Sequence, residues 1–400
     1  MFDYEARHII EALRSGIPSR SVGLYFSEAR TKVVQELKDD LDKVARLEIA
    51  KGRIISGKYG EGKTHLLNTV FNLAHSKNMV VSTVTLSKET PLDKTYLLYQ
   101  KVMQNTYLPK REQPGIGEIL EQLIPDSNLT NDLLLFSAKQ LETDKLYHVL
   151  RSYLYSDDQD ERFLLRGDIE GDFISNTQVK QLYRRIFQEK VQFNTNFNKF
   201  KNSQDYFAFW SRIFRMLGYN GWVILFDETE LIGRLGKKTR MKAYHNLGQF
   251  LFPHKQFEAL YSLFAISSSF AEDVIEAKKE YENLEQLQLE TIEAEVKRVL
   301  DTIIATKQLN PLSKNEIEEV IQKLIYFHGR AYNWEPKLTV SEIQKEADAF
   351  GYLLRTKIRL ALECLDQAYQ YGTIGKSSLQ SLTDESFVKE LQELLQEEES

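Results

Sequence analysis

With 400 residues, 42% of them hydrophobic and 28% charged, the chain can bury a sizeable core as one large domain or as two to three smaller ones. Its single cysteine, Cys364, excludes an internal disulfide and a cysteine-built zinc site, and its seven histidines show no paired ligand spacing such as His-x3-His. The net charge of −6 is concentrated in residues 384–400, which hold seven acids and one base, so residues 1–383 are formally neutral and an acidic total does not exclude nucleic-acid contact.

From the N-terminus, MFDYEARHII lacks a basic segment followed by an apolar one, so it does not read as a signal peptide. No apolar run reaches the ~18 residues needed to cross a bilayer, and a cytoplasmic protein is expected. Apolar spacing predicts helices over 4–15 and 28–48, separated by GIPSRS. RIIS (53–56) predicts a short strand, HLLNTVFNLAHS (65–76) a helix and the β-branched VVSTVTLS (80–87) a second strand. Residues 92–220 are mostly helical by pattern. WVILFDE (222–228) is a continuous apolar run ending in two acids, as in a strand buried on both faces. A helix to about Leu251 follows, then a strand at SLFAISSS (262–269) and a short fifth candidate strand at LEQLQLE (284–290). The remainder is helical. Alternating strands and helices predict an α/β fold with a parallel sheet, interrupted by a large helical insertion at about 92–220. The expected division is an N-terminal helical segment (1–52), a core (53–291), and a helical lid with the acidic tail (292–400).

Two motifs carry chemistry. Gly57-Lys58-Tyr59-Gly60-Glu61-Gly62-Lys63-Thr64, followed by His65, matches G-x-x-x-x-G-K-[ST] between a strand and a helix. Glycines let the backbone approach phosphates, and the N–H groups of Tyr59, Gly60, Glu61, Gly62 and their neighbours converge on an anion at the helix start. Lys63 is placed to reach the β- and γ-phosphates of ATP, and the Thr64 hydroxyl to ligate Mg²⁺. In VILFDE, Asp227 at a strand end would hold Mg²⁺ through water, and Glu228 would activate the attacking water. The alternative for Glu228 and Glu230 is a plain helix-start acid. Of Ser267, Ser268 and Ser269, one, assigned to Ser268, would sense the γ-phosphate; strand-end turn chemistry is the alternative. GYLLRTKIRLALECLDQA places Arg355 and Arg359 four apart on one helical face, either touching phosphates from a lid or simply solvated.

The glycine loop, the Asp-Glu strand, the polar strand end and the arginine-bearing lid together resemble the AAA+/STAND-like division of P-loop ATPases over about 53–90 and 222–372. IIEALRSGIPSRSV, GKYGEGKTHLL, LLRGD (164–168) and LFDETELI look like the BrxD-type ATP-binding proteins of bacterial BREX and related anti-phage islands. That resemblance implies an AAA+/ASCE-like ATPase acting beside a DNA helicase or another defence protein, with ATP and Mg²⁺ as cofactors, DNA as a possible ligand and homo-oligomers possible. It also implies that the SGIPSR segment joins the adenine pocket, with Arg20 near the base or phosphates; a surface-turn arginine is the alternative. The chain departs from AAA+ rings at 270–283, which hold Lys278 and Lys279 but no arginine finger. A STAND-type switch with little turnover and a helicase-loader or initiator relative remain open.

Two basic stretches stand out. Residues 178–201 interleave Lys180, Arg184, Arg185, Lys190, Lys199 and Lys201 with aromatics, although Phe193, Phe197 and Phe200 also have helix-core spacing. KKTRMK (237–242) places Lys237, Lys238, Arg240 and Lys242 just past Glu228, as a possible docking face for DNA or an acidic partner.

Overall fold

The computed structural model describes residues 3–16, 19–27, 29–253, 256–350 and 353–375; the acidic stretch 384–400 lies outside them. The fold is mixed α/β, with five strands in one mostly parallel sheet. The strands are β1 (Lys51–Gly57), β2 (Val80–Thr85), β3 (Thr106–Tyr107), β4 (Trp222–Asp227) and β5 (Leu260–Ser267), in the spatial order β1-β5-β4-β2-β3. The chain divides into two compact units. One comprises residues 39–55 and 73–306; the other comprises 1–38, 56–72 and 307–400.

In the first unit, β4 pairs in parallel with β2 (Val80 opposite Trp222 through Thr85 opposite Asp227) and with β5 (Trp222 opposite Leu260 through Phe226 opposite Phe264). β4 is buried along its length up to Asp227, as its unbroken apolar run requires when helices cover both faces. The Phe226 and Phe264 rings stack in register with centroids 4.3 Å apart. β3 is a two-residue antiparallel strand that the sequence pattern did not signal. It is held where Thr106 Oγ1 meets Ser82 Oγ at 2.7 Å, and Ser82 Oγ in turn accepts from Trp222 Nε1 at 2.8 Å.

The expected strand at 284–290 is not formed. Glu280–Gln286 is a helix, because Glu280 and Leu284, one turn apart, both point inward. The reading of KKTRMK as a four-cation face also needs correcting. On the helix Lys237–Leu251, Arg240 is buried, ion-paired with the fully buried Glu280, and donates to the Leu235 carbonyl at 2.8 Å. Lys238 and Lys242 are exposed, whereas Lys237 is half-buried and donates to Gln286 at 2.6 Å.

The helical segment 92–220 surrounds a buried polar centre. Lys145 and Asp168, both fully buried, pair at 2.6 Å; Lys145 also donates to the Ile174 carbonyl at 2.8 Å, and Tyr206 donates to Asp168 at 2.7 Å. Asp168 is the last residue of LLRGD, so that motif ends in an internal ion pair. In the basic stretch, Tyr183 and Phe193 are buried and Phe197 is packed, but the helix-core spacing of Phe193, Phe197 and Phe200 does not describe them: 188–198 is irregular chain, and Phe200, on the short helix Lys199–Asn202, is 67% exposed.

The second unit has its own core. Ala6, Ile9 and Ile10 of the helix Tyr4–Ser15 pack with Val320, Ile321 and Leu324 of Lys314–Tyr332 and with Leu360 and Leu365 of Leu354–Tyr371. Arg14 clamps Asp366 through both Nε (3.2 Å) and Nη2 (2.7 Å). Trp334 donates to His328 Nδ1 at 2.9 Å, which leaves the proton on Nε2 to be donated to Asp366 at 3.0 Å. Burial pushes the Asp366 carboxyl up, but the His328 hydrogen bond and the Arg14 charge outweigh it and hold the group below its usual range.

Candidate functional site

The second unit builds the glycine loop. β1 ends at Gly57, and the helix Lys63–Ser76 begins six residues later. Two residues between them require glycine: Gly60 at φ 75° and Gly62 at φ 90°, in the left-handed region that side chains resist. The loop closes on itself. Glu61 is buried, and its Oε2 accepts the Lys58 N–H at 2.8 Å. Lys63 folds back, with Nζ 3.0 Å from the Gly57 carbonyl and 3.3 Å from that of Lys58, so its ammonium is held at the loop while its stem is buried. Thr64 follows in the first helical turn, half-buried. The loop is also tied at its start, where Leu309 N–H donates to the Ser56 carbonyl at 2.7 Å.

Two arginines from distant sequence meet this loop. Arg355 lies in the first turn of Leu354–Tyr371, whose N-cap, Leu353, offers no side-chain acceptor. The Gly60 carbonyl takes the Arg355 N–H instead, at 3.3 Å, so the loop supplies part of the helix cap. The Arg355 Nη1 donates to the Tyr59 hydroxyl at 2.8 Å, with the guanidinium 5.7 Å from the ring centre. A Cβ at Gly16 would lie 2.5 Å from Arg355 Nη2, so this glycine, at φ 68°, leaves room for the guanidinium. Arg359, one turn on, is half-buried.

The second, Arg30, was not indicated by any motif. Its Nη2 donates to the Glu61 carbonyl at 2.9 Å, its Nη1 to the Asn310 carbonyl, and its own N–H to Glu316 Oε1 at 2.9 Å. Arg30 also holds a left-handed backbone, φ 63°, which is uncommon outside glycine. Burial pulls its pKa down, against the charges of Glu61 and Glu316. Arg30 is thus a strut between the loop's Glu61 peptide and the segment at 310–316.

The Arg20 guanidinium lies 4.1 Å from the Phe71 ring centre, and its carbonyl accepts from Asn72 at 2.8 Å. His65 Nε2 is 3.1 Å from the Phe26 carbonyl, and burial lowers its pKa. Both residues fasten the short helix Arg20–Tyr25 and its following turn to the helix that leaves the loop, as does Thr69 Oγ1 by donating to Gly23 at 3.3 Å.

In the other unit, Asp227 ends β4 and Glu228 takes a left-handed conformation, φ 57°, ψ 38°. The Glu228 N–H donates to Asp227 Oδ1 at 3.0 Å, which fixes the turn between them. A non-glycine residue in this region costs about 1–3 kcal/mol, and such strain clusters at functional sites. Glu230 Oε2 accepts the Ser267 N–H at 3.2 Å, tying the turn after β4 to the end of β5. Ser267 is the last residue of that strand, its hydroxyl 3.1 Å from that of Ser269; Ser268 lies one residue beyond, half-buried.

No curated protein matches the chain. A family model described as "BREX system ATP-binding protein BrxC/D" matches residues 3–140 and 148–363. The match includes the loop 57–64, Arg30, Asp168, Asp227, Glu228 and Arg355, and it runs through both units and the long helical segment. The chain therefore belongs to the BrxC/D family of BREX system ATP-binding proteins.

Proposed function

We propose that this protein binds ATP with Mg²⁺ at the loop 57–64, hydrolyses it, and couples nucleotide state to a DNA-acting partner in BREX defence. The observation that carries the reading is the loop itself: two left-handed glycines, a lysine ammonium held against the loop carbonyls and a helix starting at that lysine, in a family described as ATP-binding. Backbone N–H groups and the helix start bind the phosphates, and Lys63 supplies positive charge. The Thr64 hydroxyl and the Asp227 carboxylate are hard oxygen donors of the kind Mg²⁺ takes, and they are the residues that would hold it; the ion would offset phosphate charge. Glu228 is the base for the attacking water. The AAA+/ASCE-like P-loop architecture and the role of the Leu354–Tyr371 helix as a lid belong to the same reading.

Glu228→Gln tests the chemistry. The amide cannot take a proton, so turnover should fall by roughly 10²–10⁴-fold while ATP affinity stays within about twofold. A variant that hydrolyses ATP at the wild-type rate would remove Glu228 from the catalytic role.

Arg355 is tested separately. If its guanidinium leaves Tyr59 for the γ-phosphate, Arg355→Ala should weaken ATP by about tenfold or more and ADP far less, as expected for one charge-assisted contact. Equal loss for both nucleotides would make Arg355 a latch on Tyr59 and Gly60 only.

A further inference from the structure

The two basic stretches, some 40 positions apart in sequence, converge within the unit 39–55 plus 73–306. Asn246, on the helix that carries Lys242, donates to the Leu92 carbonyl at 2.7 Å; burial raises the pKa of the next residue, Asp93, and the charges of Lys94 and Lys242 both oppose that rise. Two residues further on, the Tyr96 ring meets Phe200 edge-on, centroids 4.9 Å apart, and Lys199 Nζ lies 4.6 Å from the Tyr96 ring centre. Lys94, Lys201 and Lys242 are exposed, and Phe200, between Lys199 and Lys201 in sequence, shows 67% of its surface to solvent. The half-buried Asp93 and the exposed Glu142, whose Oε2 accepts from Asn202 Nδ2 at 3.0 Å, partly offset these charges, whereas the nearby Asp205 does not. It is buried, accepting from Glu142 N, Thr143 N and Thr143 Oγ1 at 2.9–3.0 Å.

We propose that this surface binds single-stranded nucleic acid, with Lys94, Lys201 and Lys242 along the phosphates and a base stacked on Phe200, which Tyr96 and Lys199 hold in place. Lysines alone would suit a duplex or an acidic protein equally well. The exposed ring selects among them, because unpaired bases offer a free π-face whereas duplex bases are already stacked. The site shares no residue with the loop 57–64, so its failure would leave the ATP reading intact.

The test is fluorescence anisotropy with a labelled oligothymidylate of about 20 nucleotides, a length that exceeds common site sizes, titrated over a range of salt. A duplex of equal length and polyglutamate serve as competitors. Phe200→Ala should weaken oligothymidylate binding by about 5- to 150-fold, the range for losing one stacked base, with the salt slope unchanged. The triple variant Lys94→Gln/Lys201→Gln/Lys242→Gln should flatten the log–log salt slope by about 2, at roughly 0.7 per single-strand phosphate. Both variants should bind a fluorescent ATP analogue like wild type, which confirms folding. Wild-type affinity in Phe200→Ala, tighter binding to the duplex, or displacement by polyglutamate as effective as by oligothymidylate would each overturn the proposal.

Discussion

Lys63→Ala is expected to lower ATP affinity by about 30- to several-thousand-fold, the equivalent of the ~2–5 kcal/mol lost when one member of a close, desolvated charge pair is removed. The geometry explains why the effect should be large. The ammonium is already gathered against the Gly57 and Lys58 carbonyls, 3.0 and 3.3 Å away, and the stem that positions it is buried, so little side-chain entropy remains to be lost when phosphate binds. Lys58 is exposed, so water can reach its carbonyl, but Gly57 is buried and its carbonyl loses a donor. Thermal stability without nucleotide should therefore also fall, by the equivalent of about 1–3 kcal/mol. Calorimetric titration with ATP, beside a melting curve, separates the two effects. An affinity within threefold of wild type would remove Lys63 from phosphate binding.

The second large effect is on stability. Lys145→Met should destabilise the protein by about 3–5 kcal/mol at neutral pH, because it strands the Asp168 carboxylate in a fully buried site. Burial pushes Lys145 down and Asp168 up, each toward its neutral form, and the ion pair opposes both. Without Lys145, the folded-state pKa of Asp168 rises further above its unfolded value. A raised carboxyl pKa favours the fold where the group is protonated. The loss should therefore be smallest near the unfolded pKa of about 4 and grow as pH rises through the folded value. Urea-unfolding midpoints at pH 5 and pH 8 would show this as a wider gap from wild type at pH 8. Lys145→Met/Asp168→Asn should recover much of the loss, since the Asn oxygen can still accept from Tyr206. A cost below about 1 kcal/mol at pH 8 would mean that the pair contributes nothing specific to the fold.

Residues 57–64 and 222–228 were readable because their signals are local. Eight consecutive residues fix the loop's backbone and its lysine, and an unbroken apolar run followed by two acids fixes a buried strand with polar chemistry at its end. The helices with clear apolar periods were readable for the same reason: Tyr4–Ser15 emerges as the pattern set it, and Lys63–Ser76 starts two residues earlier than its pattern. Short apolar runs are less informative. LEQLQLE fits either a strand or a helix, and what decided it was Glu280, four residues before its first leucine, turning inward to meet Arg240. That same ion pair took Arg240 out of a basic run that composition alone would leave exposed.

The sequence by itself therefore determined the loop, the acid-ended strand and most of the helices, because each depends on residues within one or two turns of one another. Tertiary structure alone decided which distant groups meet them. Arg30 reaches the Glu61 carbonyl from 31 positions away, and Arg355 reaches Tyr59 from 296. Asp168 of LLRGD finds Lys145, and Lys199 and Phe200 come to Tyr96. Periodicity shows that a side chain faces in or out. It cannot show which partner waits there, because that depends on the packing of whole elements and on rotamers that only the assembled core selects.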